Sequence, residues 1–267
     1  MNITIFGNSS PRSRLNQLTA TRSLTQVMLL AGPPAIGKRS HLLESLSLSP
    51  LQPDIVIPEL SADDLREAFK DSLYAPCFSE FRAVVLDELG TASDASTSAC
   101  LKLFEEPPAS TRFFIITEDP GSLSDPLLSR IQETIVFTAL SESEMQQVRD
   151  SLDLHSELAS QVCLGRPGIY KEIASDMDYS ELWNAVFTAC NGPIKQPSLL
   201  LPKKIRNLAV HGSLGRLATM MVCSHAAKEA LSSGADKNRV CRLLEFSSTL
   251  LHLTRFDACA HWVRSIL

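Results

Sequence analysis

No stretch of this 267-residue chain approaches the ~18 uninterrupted apolar residues that a membrane-spanning helix needs. That excludes a helical span. The opening Met1-Asn2-Ile3-Thr4-Ile5-Phe6-Gly7 lacks the charged-then-apolar layout of a secretory signal. The chain is therefore expected to stay where it is made, in the cytoplasm. No Cys-x-x-Cys occurs among the seven cysteines, at 77, 100, 163, 190, 223, 241 and 259. This gives no support to a zinc ribbon or a redox pair, so no zinc is expected. Scattered thiols with apolar flanks read as small buried hydrophobes in a reducing compartment. No internal repeat or low-complexity tract is visible, which sets aside solenoids and repeat arrays.

At 29.3 kDa the chain is too long for one small domain, and two or three compact units are expected. Its net charge of −5 hides an asymmetry. Residues 1–179 hold 14 Lys/Arg against 25 Asp/Glu, whereas residues 180–267 hold 11 against 5. Two readings of the basic end stay open: it docks on acidic neighbours, or it meets nucleic acid.

The pattern along the chain alternates strand and helix. Val27–Ala31 is an apolar run that ends at Gly32, as a buried parallel strand would. A helix is expected over 38–48, with further strands at 54–57, 82–86, 112–117 and 134–137. Ser61 and Ser141 each stand three residues before an acid and open helices as caps. Solid apolar strands with helices between them predict an α/β fold with a parallel sheet covered on both faces. After Phe137 the strands stop. Short helices broken at Gly165 and Pro167-Gly168 suggest a small helical unit over 139–177, and the rest reads as all-helical.

Four features carry chemistry. Gly32-Pro33-Pro34-Ala35-Ile36-Gly37-Lys38 follows a strand and opens a helix, as a phosphate-cradling loop does. Its glycines turn backbone N–H groups toward phosphate oxygens, the helix N-terminus adds a favourable field, and Lys38 neutralises the outer phosphates. The next residue should carry a hydroxyl for Mg2+, but Arg39 stands there. Ser40 comes one position later, about 100° around the helix. The strand Ala83–Leu86 ends in Asp87-Glu88. The first carboxylate can hold Mg2+, and the second can take a proton from an attacking water. Thr117 closes the next strand, where a hydroxyl can touch the γ-phosphate or the water. Arg130 ends a short helix before the fifth strand, placed to face away from its own pocket and toward that of a neighbour.

These residues together resemble the clamp-loader AAA+ subunits of replicative DNA polymerases, in particular bacterial gamma and delta-prime subunits and their phage-encoded relatives. The helix ending Leu101-Lys102-Leu103-Phe104-Glu105-Glu106-Pro107-Pro108 is similar to the family's most recognisable segment. Phe113–Thr117 resembles its sensor 1 strand, and Ser129-Arg130-Ile131-Gln132 its arginine-finger motif. Leu164-Gly165-Arg166-Pro167-Gly168 resembles the delta-prime lid motif. The segment Ile5-Phe6-Gly7-Asn8 through Leu15 is similar to the one that packs near adenine. The chain departs from the family in four places. The four-cysteine zinc module is missing, as is the hydroxyl after Lys38. Ile131 replaces a cysteine, and the sensor 2 arginine would fall near Gly168.

The resemblance implies a RecA-like AAA+ domain over 1–138, a helical lid over 139–177 and an all-α collar over 178–267 that builds the oligomer. It implies ATP or ADP with Mg2+ as ligand, held by Gly32, Gly37, Lys38, Arg39 and Asp87. Glu88, Thr117 and, in trans, Arg130 would serve hydrolysis. Other loader subunits in a heteropentamer, the sliding clamp and primer–template DNA are the implied partners. The DNA would be held through its phosphates, with Ser93–Ser98 as the candidate stretch. The departures together point to a delta-prime-like subunit that lends its arginine finger to a neighbour and whose own site hydrolyses ATP weakly or not at all. Two alternatives remain: an active ATPase motor subunit of the same loader, or a stand-alone AAA+ protein such as a helicase loader.

Overall fold

The computed structural model describes residues 7–21, 25–76, 79–191, 212–237, 240 and 241. Cys77, Cys259, the Ile5-Phe6 pair and most of the expected collar lie outside these residues. The chain divides into two compact units, 1–144 and 145–267.

The first unit is built on five parallel strands: β1 (Val27–Ala31), β2 (Asp54–Val56), β3 (Arg82–Asp87), β4 (Thr111–Thr117) and β5 (Glu133–Val136). They pair in the order β2-β3-β4-β1-β5. The central strands β1 and β4 are buried at every position, while β2 and β5 keep exposed residues as edges must. Period-2 alternation divides the core into two layers. Met28, Leu30, Ala83, Val85, Phe114 and Ile116 face one side, against Leu15 and Leu18 of α1 (Ser9–Ala20) and Leu42 and Leu46 of α2 (Lys38–Ser47). Val27, Leu29, Val84, Leu86, Phe113 and Ile115 face the other. There they meet α3 (Ala62–Ser72), α4 (Asp94–Glu105) and α5 (Asp125–Leu128). Helices on both faces of a parallel sheet are the expected RecA-like arrangement.

Strand ends differ by a residue or so from the sequence reading because the partner sets the length. Strand β2 stops at Val56 because its ladder with β3 runs only from Asp54–Arg82 to Val56–Val84. The caps follow the sequence. Ser61 Oγ accepts from the Asp64 N–H at 3.1 Å. Ser141 N–H donates to the Glu144 carboxylate at 2.9 Å, and Glu144 N–H donates back to Ser141 Oγ at 3.4 Å.

The second unit is helical where it is described. The chain enters it along α6 (Glu142–Leu152) and continues as α7 (Glu157–Val162), α8 (Pro167–Ser175), α9 (Asp178–Asn191) and α10 (Gly212–Ser232). Tyr179, Leu182, Val186 and Cys190 of α9 are buried, as are Ala218, Val222, Ala226 and Ala230 of α10. The small residues let two long helices approach closely. Tyr179 Oη donates to Glu172 at 3.0 Å. Residues 145–177 of the expected lid and the collar-side helix Gly212–Ser232 fall within this one unit, whereas residues 139–144 belong to the first.

Candidate nucleotide site

The parallel sheet brings the chemistry-bearing residues to one edge. The register pairs Ala31 with Thr117 across β1 and β4, and Asp87 with Ile116 across β3 and β4. The loop after β1, the acidic pair after β3 and Thr117 therefore lie side by side at the carboxyl ends of the strands. Ligands of open α/β sheets bind at that edge.

The loop is turned as its sequence requires. Gly32 has φ +142°, and a Cβ there would come within 2.2 Å of the Phe137 carbonyl oxygen. Gly37 adopts φ +92° as the N-cap of α2, so the first turn of that helix presents its N–H groups to the loop. Lys38 is buried and donates from Nζ to the carbonyls of Gly32 at 2.6 Å and Pro33 at 2.9 Å. Asn8 pins the start of the described chain nearby in the fold. Its Nδ2 donates to Thr138 O, and its Oδ1 accepts from Thr138 N–H, both at 3.0 Å.

The acidic pair splits in character. Asp87 closes β3 and pairs with Arg39, whose Nη1 lies 3.1 Å from Oδ2. Glu88 leaves the strand with φ +59°, a left-handed value that is costly for a residue with a Cβ. Its N–H is held by Ile116 O at 2.9 Å. Burial pushes the Glu88 carboxyl up to about 7, and the charges of Glu118 and Asp87 push the same way, against Lys38. A carboxyl poised there is matched to proton transfer near neutral pH. The sequence reading missed Glu118; an acid one residue past Thr117 is the signal that could have found it.

Thr117 is buried, and its hydroxyl is already engaged. Oγ1 donates to Asp119 O at 3.1 Å and lies 3.3 Å from Ser122 Oγ.

Arg130 stands elsewhere. It precedes β5, and Gln132 N–H bonds the Val27 carbonyl at the start of β1. The strand β1, on the order of 15 Å long, thus separates it from its own phosphate loop. Arg130 is paired with Glu105, the first acid of the Glu-Glu-Pro-Pro ending, and Nη1 donates to Pro126 O at 2.7 Å. Its Nε is buried without a partner.

The candidate DNA stretch is tied into its own helix start. Ser93 Oγ caps the Ser96 N–H at 3.2 Å, and the buried Ser96 hydroxyl donates to Leu60 O at 2.8 Å. Arg166 occupies the N-cap position of α8 without a side-chain cap, and Gly168 lies in the first turn of that helix.

The donors present do not fit a magnesium ion. Asp87 is the carboxylate placed to hold one, it is paired with a guanidinium, and position 39 brings no hydroxyl.

Comparison with known proteins points one way. Residues 51–141 match the family described as DNA polymerase III, delta subunit. That span contains the acidic pair, α4, Thr117 and Arg130, and it excludes the phosphate loop. Over 91 residues the chain is 33% identical to DNA polymerase III subunit tau of Salmonella typhimurium, covering 34% of this chain and 14% of that relative. Over 129 residues it is 30% identical to subunit gamma/tau of Mycobacterium bovis, covering 46% and 22%. The chain thus spans less than a quarter of these relatives' length. A gamma subunit-related protein of DNA polymerase III from Thermotoga maritima superimposes with TM-score 0.54 over 96% of this chain and 97% of that one. At 14% identity this shows the shared fold alone. Over residues 51–141 the chain is thus similar to the DNA polymerase III delta-subunit family, and over part of its length to subunits tau and gamma/tau of the same polymerase.

Proposed function

We propose that this chain is a delta-prime-like subunit of a DNA polymerase sliding-clamp loader. It supports ATP-dependent placement of the clamp on primer–template DNA and lends Arg130 to the nucleotide pocket of the adjoining subunit. The observation that carries this reading is the position of Arg130 at the strand-start edge of the sheet, across β1 from its own phosphate loop. A guanidinium there cannot reach its own pocket, and it faces the side on which a neighbour would stack. The Glu105 pairing is the state of the chain by itself, and a neighbouring phosphate would have to draw Arg130 away from it. Such arginines, where measured, are worth about 10³–10⁵ in rate.

The chain's own pocket takes ATP or ADP on Gly32, Gly37, Lys38 and Arg39. Its hydrolysis is weak because the arrangement at Asp87 is altered. The other loader subunits, forming a heteropentamer in the cytoplasm, the clamp and DNA phosphates are its partners.

The test is reconstitution. The purified chain is mixed with loader subunits and a sliding clamp, and ATP turnover is measured with and without Arg130→Ala. Turnover of the assembly should fall sharply, while the isolated chain's nucleotide affinity stays the same. Weakened binding by the isolated variant contradicts the trans role. Robust hydrolysis by the isolated chain, abolished by Glu88→Gln, favours a motor subunit. No association with loader subunits or clamp favours a stand-alone AAA+ protein.

A further inference from the structure

We propose that the Arg39 guanidinium takes the place of the divalent cation in this pocket, so that the chain holds ATP or ADP without Mg2+ and keeps it unhydrolysed. This rests on the nucleotide-binding reading above and specifies how that pocket is neutralised.

The placement comes from the fold. Arg39 occupies the first turn of α2, directly after Lys38, so its backbone belongs to the helix start that would cradle the phosphates. Its side chain crosses to the end of β3 and meets Asp87 at 3.1 Å. The side chains of Arg39 and Asp87 keep 50% and 29% of their exposure. The pair therefore lies at the open edge of the sheet, not in the core. The helix-start position normally offers a hydroxyl to the ion, and the strand-end carboxylate anchors that ion. Here one residue spans both places with a fixed positive charge.

The chemistry of the two cations differs in a way that decides the outcome. A guanidinium is always charged and presents five N–H donors in a planar fork. One edge of it can stay on Asp87 while the remaining N–H groups meet phosphate oxygens. Mg2+ instead demands near-octahedral oxygen donors at about 2.0–2.1 Å and gives up its water reluctantly. With Asp87 already paired, the ion would meet a like charge at its anchor and find no hydroxyl. Electrostatics demands a cation in any case. Asp87 and Glu118 place negative charge beside Glu88, and a triphosphate brings more. Lys38 and Arg39 supply the positive charge from the protein itself. A single guanidinium fixed to Asp87 does not bridge and polarise the outer phosphates as a divalent ion does. Bound nucleotide is accordingly retained rather than cleaved.

The experiment uses the full chain and a fluorescent ATP analogue, titrated in excess Mg2+ and again in excess EDTA. The same titrations are run on Arg39→Ser, which removes the guanidinium and places a hydroxyl after Lys38. The wild-type chain should bind with nearly the same affinity in both conditions, within about threefold. Arg39→Ser should depend on the metal, losing about tenfold or more in EDTA. Two results overturn the proposal while leaving nucleotide binding intact: a wild-type chain that loses about tenfold in EDTA, or an Arg39→Ser chain as indifferent to Mg2+ as the wild type. No binding by the wild-type chain in either condition removes the nucleotide reading itself and this proposal with it. Arg39 is an exposed surface residue, so the variant is expected to fold, and a thermal melt checks this.

Discussion

His41 lies on α2, one turn beyond the phosphate loop, and is fully buried with no hydrogen-bond partner at either ring nitrogen. Its ring sits 5.4 Å from that of Phe137, so it is packed as an aromatic and not solvated as a base. Burial, with the nearby charge of Arg12, pushes its pKa from 6.5 down to about 4. The folded chain then binds fewer protons than the unfolded chain between those values. The associated stability is fully present above about pH 6.5 and is lost as pH falls through about 4. In urea denaturation at pH 7 and pH 4.5, His41→Leu should lose about 1–2 kcal/mol less than the wild type on acidification. An equal loss in both chains would place the acid sensitivity elsewhere. Nothing in the sequence marks this residue: a histidine four places after Gly37 looks like any polar position on a helix. The same holds for Arg39 and Asp87. Each is noticeable in the sequence, but their ion pair spans 48 positions and exists only because α2 begins at the edge of the sheet where β3 ends.

At the scale of elements, the loop after β1 depends on one close approach. The Gly32 φ of +142° and its approach to the Phe137 carbonyl leave no room for a side chain. The atom in the way is backbone oxygen, held because Phe137 N–H bonds Ala31 O at 2.8 Å, so it cannot swing aside. Gly32→Ala should therefore cost about 1–3 kcal/mol or more and distort the loop. Thermal unfolding and nucleotide titration check both effects; an unshifted melting temperature would show that the loop relaxes freely. The glycine spacing made this loop legible in the sequence. The strand ends were less so, because the ladder partner fixes them: β4 begins at Thr111, opposite Arg82.

For the whole molecule, charge decides what the isolated chain can do with DNA. Residues 1–179 carry 14 Lys/Arg against 25 Asp/Glu, and α4 begins with Asp94 rather than an open helix end. A phosphate backbone approaching that surface meets net repulsion. The chain alone should bind primer–template DNA weakly, with Kd above about 10⁻⁶ M near physiological salt, and should gain affinity only inside an assembly. Fluorescence anisotropy over a salt series measures this. Tight binding by the isolated chain with a steep salt slope would assign the DNA contact to the basic residues 180–267.

The sequence by itself determined the alternating strand–helix order, the phosphate loop, the acidic strand end, the capped helix starts and the resemblance carried by the Glu-Glu-Pro-Pro helix. Each of these is written in residues close together along the chain, where local sterics and hydrophobic period act directly. Only the tertiary structure decided that Arg39 meets Asp87, that Glu105 holds Arg130, that Thr117 turns its hydroxyl to Asp119 and Ser122, and that Glu118 adds its charge to Glu88. Several of these contacts join residues far apart in sequence, and the others depend on how each side chain is turned. Which rotamer wins depends on the neighbours that the folded sheet supplies, and no local pattern records those neighbours.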